Sequence, residues 1–239
     1  MGYQFSTERK RQELKYYIDW KDYLYAKSIL SKTMQQDQYQ KDEEGYFVRS
    51  IYFDDIYNTS LNENLGSEYY RTKYRLRTYS FDQQWAKIEK KSKKGEYLYK
   101  KSTTISRSMA NKMLNNSFSS SFLKKRNPTM NSLCFNLCKK YYHPVVTIDY
   151  IRDAFVKDNN LRISFDKNLR YNDTKFELYN EDLDTISFLN NKVVIMEIKY
   201  DKFYPAWLPN LLKLNCSPAL PISKYLNART KNNYFLNYI

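Results

Sequence analysis

Arg71-Thr72-Lys73-Tyr74-Arg75-Leu76-Arg77 places basic side chains at every second position, Arg71, Lys73, Arg75 and Arg77. Side chains alternate between the two faces of a strand, so an extended backbone here points all of these cations to one side. A hydrophobic core has no use for such a face. The pattern recurs with both signs of charge in Arg11, Glu13 and Lys15; Glu89 and Lys91; Tyr150 and Arg152; Arg162, Ser164 and Asp166; and Glu197 and Lys199. The opposite parity is apolar in Leu14, Tyr16 and Ile18, in Leu161, Ile163 and Phe165, and in Val194, Met196 and Ile198. That is how half-buried strands read. One segment alone would be a sheet with a wet face, but repeated Arg and Lys with isolated carboxylates suits a concave surface that holds a polyanion. The expected object is a barrel with a charged interior.

Composition narrows the function. The chain has 239 residues and carries 40 Lys and Arg against 26 Asp and Glu, a net charge of +14, which favours phosphate polymers, nucleotides, nucleic acid or an anionic surface as partners. With no Pro/Gly/Ser-rich linker, residues 1–239 read as a single domain. No apolar run approaches the ~20 residues of a spanning helix and Met1 to Lys10 resembles no secretion signal, so a cytoplasmic protein is expected. Cys134, Cys138 and Cys216 read as reduced thiols. The four glycines fit no phosphate-cradling loop. The single histidine, His143, reads as a loop or helix-end residue and rules out a histidine-based triad. Side-chain cations, carboxylates and metal are left to carry any chemistry.

Further elements follow from local signals. Asp19 caps a helix running to about Met34, and Phe47 to Phe53 is a strand carrying Arg49. A turn at Asp54 to Ser60 leads into a short helix ended near Gly66. Trp85 to Lys91 and Tyr97 to Thr103 form a hairpin with its tip at Ser92 to Glu96, which adds Lys100 or Lys101 to the basic face. Helices are expected over Ile105 to Leu114 and Pro128 to Tyr141, a polar loop at Asn116 to Ser121, and strands at Val145 to Arg152, Leu161 to Phe165 and Lys192 to Tyr200. A last helix starts near Ile222. Tyr46, Phe47, Tyr52, Phe53, Trp85, Phe135 and Trp207 read as core and helix-contact residues, and Lys124, Lys125, Lys139 and Lys140 as solvated surface.

The order of the motifs R-x-E-x-K-Y (Arg11 to Tyr16), R-S-I-Y-F-D (Arg49 to Asp54), G-x4-R-x-K-x-R-x-R-x-Y (Gly66 to Tyr79), I-E-K-K (Ile88 to Lys91), Y-x-R-x-A-F (Tyr150 to Phe155), R-I-S-F-D (Arg162 to Asp166), M-E-I-K-Y (Met196 to Tyr200) and S-K-Y (Ser223 to Tyr225) resembles the VTC domain. This is the polyphosphate polymerase domain of the vacuolar transporter chaperone complex, within the CYTH superfamily of triphosphate tunnel metalloenzymes. The resemblance implies an α+β fold: a closed antiparallel barrel of about eight strands with a charged lumen and helices outside. It implies that Lys15, Arg75, Arg77, Lys91, Arg152, Arg162, Lys199 and Lys224 act on phosphate, and that Arg49, Arg71, Lys73, Lys100, Lys101, Tyr150 and Ser223 bind substrate. Glu197 would hold Mn²⁺ or Mg²⁺, with Glu13 and Glu89 as further acidic ligands.

The implied reaction moves the γ-phosphoryl of ATP to a growing polyphosphate chain, which needs positioning and charge neutralisation rather than a protein nucleophile. A tunnel would let the polymer thread away from the active centre. ATP and inorganic polyphosphate are the implied partners, with a membrane-protein partner not encoded here and nucleic acid the weaker candidate. Hydrolytic relatives begin with E-x-E-x-K where this chain has Arg11, which fits the polymerase branch better. A triphosphatase using the same tunnel, and a non-enzymatic binder of polyphosphate or nucleic acid, are the alternatives.

Overall fold

The computed structural model describes residues 12–40, 43–95, 97–115, 128–158, 161–201, 204–212 and 220–231. Arg11, Cys216, Lys124, Lys125 and the expected loop at Asn116 to Ser121 lie outside the described residues. The strands are β1 (Gln12–Asp19), β2 (Gln35–Gln36), β3 (Tyr46–Asp54), β4 (Tyr70–Thr78), β5 (Trp85–Lys94), β6 (Tyr97–Ser106), β7 (His143–Lys157), β8 (Leu161–Asn172), β9 (Ile186–Ser187) and β10 (Val193–Tyr200). The helices are α1 (Trp20–Thr33), α2 (Thr59–Leu65), α3 (Arg107–Leu114), α4 (Pro128–Lys139), α5 (Trp207–Leu212) and α6 (Lys224–Thr230). His143 opens a strand, opposite Asp54, instead of lying in a loop.

All strands belong to one antiparallel sheet, in the order β1-β10-β8-β7-β3-β4-β5-β6, with β2 and β9 as short additions. The sheet does not close by hydrogen bonds. No ladder joins β1 to β6 among the described residues, so the closed barrel expected above becomes an α+β fold around a curled sheet. Side chains bridge the seam instead: Lys91 of β5 reaches Glu13 of β1 at 2.8 Å. The free edge of β1 is partly covered by the chain before α6, where the Leu220 amide donates to the Lys15 carbonyl at 3.0 Å. An exposed edge strand invites pairing with another chain, which this strap blocks at that point.

Alternation then sorts each strand into two faces. Outside, Ile51, Phe53, Leu76, Ile88 and Ile105 pack under α3 and α4, while Ile18, Phe155, Ile163, Phe165, Val194 and Ile198 pack under α1 and α5. Asp19 caps α1 by accepting from the Asp22 amide at 2.7 Å. Inside, the charged residues gather in the middle of the strands. At one end the inner face turns apolar, where Tyr17, Val48, Tyr52, Ile148 and Ile195 receive Ile222, Tyr225 and Ala228 at α6. Gly45 enters β3 at φ +93, where a Cβ would lie 2.6 Å from the Arg152 carbonyl oxygen. No helix among the described residues is long and apolar enough to cross a membrane.

Candidate active site

Register fixes who faces the lumen. Lys15 stands opposite Glu197 and Glu13 opposite Lys199 on β1 and β10, Lys199 opposite Arg162 on β10 and β8, and Arg152 opposite Asp166 on β7 and β8. Across the other wall Arg75 pairs with Glu89, Lys73 with Lys91, and Lys91 with Lys100. Of the candidate residues, Glu13, Lys15, Lys73, Arg75, Arg77, Glu89, Lys91, Lys100, Tyr150, Arg152, Arg162, Glu197 and Lys199 therefore share the inner face, with Arg71 two residues beyond Lys73. Ser223 and Lys224 join them from the start of α6: Lys73 donates to the Ser223 hydroxyl at 2.9 Å, and Lys224 lies 2.5 Å from Asp166.

Two candidates do not belong. Arg49 shares the parity of Phe47, Ile51 and Phe53 and is 1% exposed on the outer side, where it makes a bidentate pair with Asp149 at 2.8 and 2.7 Å and donates to the Glu177 carbonyl. It also donates to the Asn180 carbonyl. It clamps the loop after β8 and has no route to a lumen ligand. Lys101 sits opposite Lys90, on the face away from Lys91 and Lys100, so Lys100 is the lumen contact of this pair.

Every lumen carboxylate is shared by several cations. Glu13 contacts Lys15, Lys91 and Lys199; Glu89 contacts Arg75, Arg77 and Lys100; Glu197 contacts Lys15, Arg152 and Lys199; Asp166 contacts Arg152 and Lys224. Positive charge is thus in excess, and the titrations reflect it. Burial, only partly offset by Glu13, lowers Lys15 to about 7, and Lys199 is lowered by burial to about 8. Burial and the neighbouring Lys15 and Lys91 push Lys73 well down. Burial would raise Glu13, but Lys91, Lys199 and Lys15 hold it well below the usual carboxylate range. Tyr150 is likewise pulled down against burial by Arg152 and Arg77, the second of which donates to its hydroxyl at 3.2 Å.

The arginines are fixed before any ligand arrives. Arg75 donates to the Tyr52 hydroxyl at 2.9 Å and Arg77 to the Ser50 hydroxyl at 3.0 Å, while Arg152 grips Asp166 through Nε and Nη2 at 2.6 and 2.7 Å. Arg162 is held by Asp37 at 2.7 Å and donates to the Tyr46 hydroxyl at 3.1 Å. Such a preset array suits multidentate recognition of phosphate oxygens, which a planar guanidinium matches and an ammonium does not.

For a divalent cation the structure offers Glu13 and Glu197, which flank the same two lysines, Lys15 and Lys199. Glu89 is engaged on the other wall by Arg75 and Lys100. Among the described residues no three His, Cys, Asp or Glu side chains gather as a metal-binding group. The donor set still fits a hard ion that takes one or two carboxylates and completes its shell with phosphate oxygens and water.

Of the aromatic residues expected in the core, Tyr52 is buried in the apolar cluster at α6 and Tyr46 packs at its edge, although both share the inner parity of Ser50. Trp85 instead has the parity of Glu89 and Lys91 and lies on the charged face. Phe135 is 56% exposed and Trp207 39% exposed. Lys87, two residues from Glu89 on the inner face, was not singled out in the sequence, although the same alternation locates it.

No curated protein matches the chain. Among solved structures, a Bacillus halodurans protein described as a candidate adenylate cyclase superposes with TM-score 0.51 and 10% identity, covering 88% of this chain and 95% of its own. A Hippeastrum protein described as a candidate adenylyl cyclase with a dominant triphosphatase activity gives TM-score 0.54 and 12% identity, over 91% of this chain and 94% of its own. These likenesses show the shared fold. The VTC domain model matches residues 10–232, and with the ordered motifs and the cation-lined inner face it shows that the chain belongs to the VTC domain family.

Proposed function

We propose that this protein is a polyphosphate polymerase that transfers the γ-phosphoryl of ATP to the end of a polyphosphate chain with the help of Mn²⁺ or Mg²⁺. The observation that carries this reading is the excess of preset cations over carboxylates on one enclosed face. Arg75, Arg77, Arg152 and Arg162 would bind phosphate oxygens, with Lys15, Lys73, Lys91, Lys100, Lys199 and Lys224 supplying further positive charge. Phosphoryl transfer asks a protein for positioning and for neutralisation of charge spread over equatorial oxygens, and this face supplies both. The acceptor is an ionised phosphate, so no general base is required. Glu13 and Glu197 would hold the metal, which when bound withdraws charge from the triphosphate. Tyr150 and Ser223 would add neutral hydrogen bonds, and Arg71 would extend the basic track.

A triphosphatase is the second reading, favoured by the activity described for the Hippeastrum protein of the same fold. The two separate on products. Purified protein given ATP, Mn²⁺ and a short polyphosphate primer should yield a ladder of lengthening polyphosphate with equimolar ADP. Free phosphate without a ladder would establish the triphosphatase instead, and no turnover would refute both. Glu197→Gln should reduce metal-dependent turnover at least ~100-fold while leaving phosphate binding intact or tighter, because removing a carboxylate leaves more net positive charge for the anion.

A further inference from the structure

Beyond the ends of the cationic rows, the inner face continues as a wall of aromatic rings. Trp85 precedes Lys87 by two residues on β5, about 7 Å along the strand, and Tyr79 lies one residue past the end of β4, beyond Arg77. Tyr79 lies 6.1 Å from Tyr46 and 6.4 Å from Trp85, centroid to centroid, and its ring is parallel within 6° to that of Tyr39 at 6.3 Å. A close sandwich would bring parallel planes to ~3.5 Å, so at this separation the two rings are slid or parted and do not fully cover one another. Tyr39 is 56% exposed, and Tyr46, Tyr79 and Trp85 are half-buried.

This wall adjoins the phosphate-binding cations. The Tyr46 hydroxyl accepts from Arg162, and the Lys87 ammonium lies 5.9, 5.4 and 6.0 Å from the Tyr39, Tyr79 and Trp85 ring centroids. Lys87 thus stands at the junction between ring wall and basic lumen. An inorganic polyphosphate is anionic along its whole length and has no part that a π surface would select. A nucleoside triphosphate has such a part: a flat base joined to the phosphates by one ribose, whose length matches the step from Lys87 to Trp85 along β5.

We propose that Tyr39, Tyr79 and Trp85 form the nucleobase subsite of the donor nucleotide, with Lys87 meeting the α-phosphate or ribose where base and triphosphate join. This rests on the reading of the lumen as a triphosphate site and adds what that reading lacks, a feature that distinguishes ATP from inorganic triphosphate. Aromatic faces accept any base, so the subsite selects nucleotides over bare phosphates with little preference among bases.

The test is direct binding in EDTA, where turnover is suppressed, with ATP and inorganic tripolyphosphate as paired probes. Tyr39→Ala, on an exposed position, should weaken ATP at least about fivefold and leave tripolyphosphate within twofold, given that a base-aromatic stack is worth a factor of roughly 5 to 100. Tyr39→Phe should restore ATP binding, and Trp85→Leu should repeat the selective loss. Equal weakening of both ligands would show that the rings only support Arg162, and no change in either would place the base outside the wall. Both results overturn the subsite and leave the lumen reading standing. Failure of the unmodified protein to bind either probe would overturn the lumen reading and the subsite with it.

Discussion

Raising the pH should strip the lumen of positive charge while every arginine stays charged. At pH 8, Lys15 at about 7 is about nine-tenths neutral in the ligand-free lumen, and Lys199 and Lys100, each at about 8, are about half neutral. A bound polyphosphate favours the ammonium forms, so binding at pH 8 takes up about 0.9 + 0.5 + 0.5 ≈ 1.9 protons at these three lysines. Integrating this linkage, the affinity for inorganic tripolyphosphate should fall only about twofold from pH 6 to 7 but more than ~100-fold from pH 8 to 9. Calorimetric titration in two buffers of different ionisation enthalpy reads the proton uptake, after subtraction of the ligand's own titration. Lys15→Met should remove about half of it. Zero uptake at pH 8, or an affinity flat from pH 8 to 9, would show that these lysines are already charged without ligand and would refute the argument from burial. The contribution of these lysines to folding stability should move the other way. Lys15, Lys199 and Lys100 titrate below their ordinary 10.5, so between pH 7 and 10.5 these sites bind more protons in the unfolded chain than in the native one and their contribution to stability rises with pH.

Arg49→Met should cost about 3–5 kcal/mol in urea unfolding, because it leaves Asp149 buried without its partner, yet leave tripolyphosphate affinity within twofold. A large loss of affinity in a folded Arg49→Met protein would return that residue to the lumen. Asp166→Asn should also destabilise the empty protein by about 3–5 kcal/mol, and added tripolyphosphate should recover more thermal stability in the variant than in the parent, since Arg152 and Lys224 are then left for the ligand. Gly45→Ala should lower stability by at least roughly 1–3 kcal/mol, combining a positive φ with a Cβ driven against the Arg152 carbonyl; a neutral result in a melting experiment would contradict that close approach.

Alternation made most of the site legible in the sequence, because a strand with cations on one parity and aliphatics on the other has only one sensible orientation. It failed where that contrast was weak. On β3 the residues of both parities include large apolar groups, so the charge of Arg49 points to the lumen although its parity partners, Phe47, Ile51 and Phe53, face the outer side. Lys100 and Lys101 are adjacent, so only the hairpin register, with Gly95 at φ +57 in the turn, could choose between them. Trp85 reads as core by its apolarity alone, although counting back by twos from Lys91 puts it on the charged face. Whether β1 and β6 join is a contact between distant strands that no local pattern encodes, and no shared ladder joins them among the described residues.

The seam has a consequence for the order in which the chain is made. β1 pairs with β10 near the other end of the chain, Lys15 donates to the Ile222 carbonyl across 207 positions, and Asn227 donates to Tyr17 across 210. During synthesis the cationic strands β4 and β5 leave the ribosome long before β10 and the start of α6, which supply Glu197, Lys199, Ser223 and Lys224. For much of translation the growing chain is therefore an open basic trough amid a polyanionic machine, and the contacts that tie Lys15 and Tyr17 to α6 and the residues before it can form only once residues 222–227 have emerged.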